Sequence, residues 1–216
     1  MRRSRRSSSA ATRPVVVALL IMASGVACAS KRVLVPPRMD LRPYAKLGLV
    51  TFTVENAKGS LHQFATERFA ENVLTAQPGI EILELGNIDT LMQRVGEREP
   101  GIATAQELGK RHGVAGVFAG HLKITNPNVS GGIAGLLTPR LEATIRTDLT
   151  VRLLSTQSGG TVWRQSAWAT QKVGGISIEG GQVNFGARDP KTAYGPMVNT
   201  IVNIVTRDLW STWQKQ

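Results

Sequence analysis

The sequence is poor in the residues that carry most protein chemistry. Cysteine occurs once, as Cys28, which excludes an internal disulfide and a cysteine-built zinc site. Histidine occurs three times (His62, His112, His121), with no spacing of the HxxxH kind that gathers a metal. No G-x-S-x-G, S-x-x-K or G-x-x-x-x-G-K-[ST] pattern is present, so the common nucleophile and nucleotide-phosphate signatures are missing. Long apolar runs are scarce as well. The longest near the start, residues 15–22 (VVVALLIM), is far short of the roughly 20 residues that a membrane span needs. Acids are absent before Cys28.

What is present before Cys28 has a clear order. Arg2, Arg3, Arg5 and Arg6 precede the apolar run, and small residues then lead to the cysteine. That order is the layout of a secretory signal over residues 1–27. Removing the five arginines of this segment lowers the formal charge from +11 to +6. The bases that remain are scattered, with no basic stripe interleaved with aromatics, so nucleic acid is not an expected partner. Apolar residues at 42% and charged residues at 19% indicate a globular body.

Two readings of the cysteine stay open. Gly25-Val26-Ala27-Cys28 resembles the lipobox of bacterial lipoproteins, although Gly25 stands where that pattern prefers Leu. On this reading Cys28 becomes the acylated N-terminus and the membrane is a partner through two or three acyl chains. Ala29 and Ser30 follow, with no Asp, and by the same resemblance that points to the outer membrane, periplasmic face. Ala27-Cys28-Ala29 also fits ordinary A-x-A cleavage, in which the cysteine leaves with the signal or close to the cut.

Beyond the cysteine, residues 28–45 carry Pro36, Pro37 and Pro43 and are expected to form an extended, lipid-anchored linker. The domain is expected over 46–216. Residues 46–54 (KLGLVTFTV) read as a buried strand. Ser60-x-x-Gln63 is a capping-box pattern opening a helix with Leu61, Phe64, Phe69 and Val73 on one face. A strand at 80–85, a short helix behind Asn87, and a helix opened by Thr104-x-x-Glu107 and closed at Gly113 follow. Residues 114–124 form another buried run, which predicts a strand containing His121. Residues 141–153 alternate strictly between apolar and polar, and Ser158-Gly159-Gly160 turns the chain into an antiparallel partner over 161–170. A last helix is expected to carry Met197 through Trp213. The order predicts a single α/β domain: a mixed sheet, antiparallel toward its later strands, flanked by helices.

The GVAC segment, the strand GLVTFTV leading to FATERFAENVL, the segment ELGKRHGVAGVFAGHL and the hairpin TDLTVRLLSTQSGGTVWRQSAWA together resemble a group of envelope lipoproteins. The group includes the curli-secretion channel lipoprotein, the activator lipoproteins of penicillin-binding proteins, and the N-terminal domain of the Tol–Pal propeller protein. The likeness spans nearly all of 46–213 and implies a non-catalytic binding or assembly role, with an envelope protein or a second copy as partner and no cofactor. One departure is that no hairpin pair long enough to line a β-barrel pore is visible.

Two glycine-rich stretches could offer an apolar contact surface. Residues 126–139 carry Val129, Ile133, Leu136 and Leu137, and residues 173–186 carry Ile176, Ile178, Val183 and Phe185. Either these side chains meet a partner, or they fold back on the sheet. Trp163 and Trp168 read as sheet packing, Trp210 and Trp213 as partly exposed. A soluble periplasmic ligand- or peptidoglycan-binding protein is the alternative function. A hydrolase would require titratable groups to converge in the fold.

Overall fold

The computed structural model describes residues 32–129, 141–179, 182–185 and 190–215. They fall into two units. The smaller is a two-stranded ribbon in which β1 (Arg32–Val35) pairs antiparallel with β10 (Thr212–Lys215). Leu34 lies opposite Trp213, and Arg32 opposite Lys215. Alternation along each strand puts these four on one face. Leu34 is 50% exposed and Trp213 66%. The last helix was expected to reach Trp213; it stops earlier, and Trp213 lies in a strand.

The larger unit is the body, Pro36–Ser211. Its sheet is mixed. β2 (Lys46–Val50) lies between β5 (Glu81–Gly86) and β6 (Gly116–Val129), parallel to both. From β6 onward the sheet is antiparallel, through β7 (Leu141–Ser155), β8 (Thr161–Glu179) and β9 (Gln182–Phe185). These strands outrun the expectation. β6 continues to Val129 and β8 to Glu179, so strands of 14 to 19 residues take in 126–129 and 174–179 of what read as glycine-rich loops.

The first strand is broken where the sequence suggested continuity. Phe52 turns into the core and its N–H is taken by Thr66 Oγ1 at 2.9 Å, which ends β2. The chain resumes as β3 (Thr53–Glu55), parallel to β6, and bends at Asn56 (φ 64°). It then continues as β4 (Ala57–Gly59), which pairs with β9. One short segment thus ties both flanks of the long strands: β3 pairs with β6, β4 pairs with β9, and the chain itself joins β3 to β4 through Asn56.

The helices cover the sheet unequally. α1 (Leu61–Ala76) and α5 (Gly195–Val205), preceded by the short turn α4 (Pro190–Ala193), pack on one face. Their Phe64, Phe69, Val73, Met197, Ile201 and Val205 meet Leu49, Phe118, Leu149 and Leu153 in the main core. α2 (Asp89–Val95) and α3 (Ile102–His112) cover the opposite face only at the parallel end, where Leu91, Met92 and Leu108 pack on Val50 and Val117. Among the described residues, the remainder of that face is bare.

Both capping boxes are replaced by other devices. Ser60 makes no cap bond and its hydroxyl meets Tyr194 Oη at 2.8 Å. α3 begins two residues before Thr104, and Glu97 caps it from outside by accepting the N–H groups of Gly101, Ala103 and Thr104, each at 3.0 Å. α2 ends at Gly96 (φ 75°) as expected. Residues 36–45 are not a free lead-in: Leu41 is fully buried in the core, and residues Arg42–Tyr44 form a 3-10 turn. Three prolines restrict the backbone of this segment, but its Leu41 supplies enough apolar surface to dock it.

Candidate functional site

Among the described residues no group of His, Cys, Asp or Glu gathers to hold a metal, and no helix is long and apolar enough to cross a membrane. The candidate site is therefore sought on the bare sheet face. Strand alternation sends Arg146, Asp148, Thr150 and Arg152 of β7 outward, together with Arg164, Ser166 and Trp168 of β8. The registers arrange them in cross-strand rows. One row runs Glu55, Lys123, Asp148, Trp168, the next Thr53, His121, Thr150, Ser166, and the third Ala119, Arg152, Arg164.

Two rows are internally matched. Glu55 meets Lys123 at 2.8 Å, and that hydrogen bond holds its carboxyl below the usual range. Arg146 reaches Asp148 at 3.1 Å and lies 4.6 Å over the Trp168 ring. The hydrogen bonds that Arg146 donates to the Asp148 carboxylate raise its pKa. Thr150 and Ser166 share a hydroxyl bond of 2.9 Å. The third row is unmatched, because it sets two guanidinium groups directly opposite one another.

That row floors a cleft of about 440 Å³ lined by Arg98, Glu99 and Pro100 on one wall and by His121, Thr150, Arg152 and Arg164 from the sheet. Arg152 donates to Pro100 O at 3.1 Å and to Glu99 at 3.4 Å, while Glu99 is itself largely exposed. Arg98 and Arg164 have no ion-pair partner among the described residues. A neighbouring hollow of about 270 Å³ shares Thr53, Pro100 and Gly120 and is reached by His62, whose Nδ1 is buried without a hydrogen bond.

Titratable groups do converge at the cleft edge. Thr53 Oγ1 lies 2.9 Å from His121 Nδ1, and His121 Nε2 lies 3.4 Å from Glu55 Oε2. Hydroxyl, imidazole and carboxylate in that order form the layout of an activated nucleophile. Their setting differs from one. The imidazole is 48% and the carboxylate 43% exposed, and Glu55 is held closer by Lys123 than by the histidine. In water such contacts orient side chains and contribute little more. His121, expected inside a buried strand, is on the open face because β6 is bare on that side.

The apolar contact residues divide. Of the two readings, Val183 and Phe185 follow the one in which they fold back: they are 1% and 0% exposed and belong to the main core, so they are not partner contacts. β9 turns them inward beside Tyr194, which stacks edge-on against Phe185. Cys28, Ile133, Leu136 and Leu137 lie outside the described residues, as do the side chains of Val129, Ile176 and Ile178. Trp163 is buried as expected, whereas Trp168 is 59% exposed.

Sequence reasoning missed the arginine cleft, since its members come from three separate segments. The turn at 158–160 alone would set residue 152 against residue 163; a register shift between Leu153 and Leu154 moves it opposite residue 164.

Fold and cleft together define a mixed α/β module with one open, basic sheet face. No protein family and no curated protein sequence matches the chain. Several solved structures are similar to it. The PelC dodecamer of Paraburkholderia phytofirmans is 12% identical, with a TM-score of 0.49, covering 83% of this chain and 96% of that one. Lipoprotein GNA1162 of Neisseria meningitidis is 14% identical with a TM-score of 0.42, covering 76% and 99%. The LpoB C-terminal domain of Salmonella enterica is 13% identical with a TM-score of 0.37, covering 73% and 94%.

Proposed function

We propose that this chain is an outer-membrane lipoprotein, held by acyl chains on Cys28, that acts as a non-catalytic binding or assembly module in the cell envelope. The supporting observation is the ribbon. Four residues after Cys28 the chain enters a strand whose exposed Leu34 pairs with exposed Trp213, next to the basic pair Arg32 and Lys215. A two-stranded ribbon is marginal in water by itself. A Trp with flanking cations suits the boundary between headgroups and water, where the acyl chains would hold it. The open sheet face then remains for an envelope protein, a ligand or a second copy.

Mass spectrometry of the native N-terminus and fractionation of a Cys28→Ala variant test the tether. The expected result is a diacylated or triacylated Cys28 in the membrane fraction and release of the variant. An unmodified N-terminus elsewhere overturns it. The alternative, a soluble periplasmic ligand-binding protein, draws support from the cleft and Trp168, and the same fractionation separates the two. Light scattering of the detergent-solubilised chain decides between self-assembly and a partner of another kind.

A further inference from the structure

The bare sheet face carries one electrostatic conflict. On a sheet, directly opposed side chains stand about 5 Å apart at Cβ, and like charges so placed repel. Elsewhere on this face the pairing is complementary: Glu55 with Lys123, Arg146 with Asp148. Among the described residues only Arg152 and Arg164 oppose cation to cation, and Arg98 adds a third guanidinium from the wall of the same cleft. Among the described residues lining it, the one acid is Glu99, which touches Arg152 at 3.4 Å from a mostly exposed position. Three cations against one anion leave an excess of about two positive charges around a hollow large enough for a ligand.

We propose that this cleft binds an oxyanionic group, a carboxylate or a phosphate, clamped by the guanidinium groups of Arg98, Arg152 and Arg164. The inference rests on the reading of the open face as the binding surface and gives that surface a ligand chemistry. Guanidinium forks match both groups in a bidentate manner, and an anion between Arg152 and Arg164 converts their repulsion into two attractions. Arg152 is already oriented by its bond to Pro100 O, so little ordering remains to be done on binding. Four residues along β8 from Arg164, roughly 13 Å away, Trp168 offers an exposed ring for the uncharged part of the same ligand. The conflict is maintained within an otherwise matched surface, which is the signature of a site built for a counter-charge.

The test is thermal unfolding of the mature chain in detergent at constant ionic strength, with chloride replaced stepwise by inorganic phosphate or by glucuronate, and with glucose as a neutral control. Specific binding raises the melting temperature in a saturable way. The wild-type chain is expected to respond to at least one of the two anions and not to glucose, the stronger response identifying the source as phosphate or carboxylate. Arg164→Gln is expected to weaken the responding anion at least tenfold and, in low-salt chloride, to melt no lower than wild type because the repulsion is gone. Arg98→Gln, on an exposed loop without an ion-pair partner, is expected to weaken it too and serves if an Arg164 variant misfolds. Absence of a saturable response in the wild type, or an equal response in both variants, overturns the proposal. Neither outcome depends on Cys28, so the tether stands or falls separately.

Discussion

Gln77 ends α1 with its amide group inside the core, where it satisfies three pieces of backbone. Its Oε1 accepts the N–H of Leu41 at 3.1 Å, and its Nε2 donates to Met39 O at 2.9 Å and Leu209 O at 2.8 Å. One side chain therefore joins the entry of the body, the first helix and the turn Arg207–Leu209. Replacing it by Leu keeps the volume but strands an N–H and two carbonyls away from water. Gln77→Leu is expected to lower stability by about 3 kcal/mol in urea unfolding, a cost typical of several unmet buried groups. Glu97 is a second such residue. Burial pushes its carboxyl up, but the bonds it accepts from Thr104, Ala103 and Gly101 outweigh that and hold it below the ordinary 4.5. A lowered folded-state value means that the stabilisation is complete above 4.5 and disappears as pH falls through the folded value. Glu97→Gln should cost about 1 kcal/mol at neutral pH, as loss of a helix cap does, and the gap from wild type should close in melts run at progressively lower pH.

At the scale of elements, the segment from Thr53 to Gly59 decides how the sheet ends. β4 can lie against β9 only because Gly59 has no side chain: at its φ of 91°, a Cβ would sit 2.3 Å from the Phe185 carbonyl oxygen. Gly59→Ala is expected to cost about 2 kcal/mol or more and to speed amide exchange in Ala57–Gly59 and Gln182–Phe185 ahead of the other strands. None of this was legible in the sequence. Strong periodicity made α1, the alternating β7 and the 158–160 turn readable, because helix and strand spacing follow directly from which face is buried. The break at Phe52 and the strand at Trp213 are set by partners distant in the chain, Thr66 and Leu34, which local pattern cannot announce. The arginine cleft failed to appear for the same reason. Its residues are unremarkable singly and acquire meaning only through hairpin register.

At the scale of the whole molecule, the formal charge of +11 proves a poor guide, and the distribution of charge a better one. On the open face, Arg98, Arg152 and Arg164 form a local excess of cations beside the single acid Glu99 of the cleft lining. The docking of Leu41 also bears on the proposed tether. Had all of residues 28–45 formed a free extended lead-in, eighteen residues would give a leash of roughly 60 Å at full stretch. With 36–45 folded into the body, the chain between Cys28 and the body spans at most roughly 28 Å. On the proposed tether, whatever the body captures has to come within that span of the lipid to be caught.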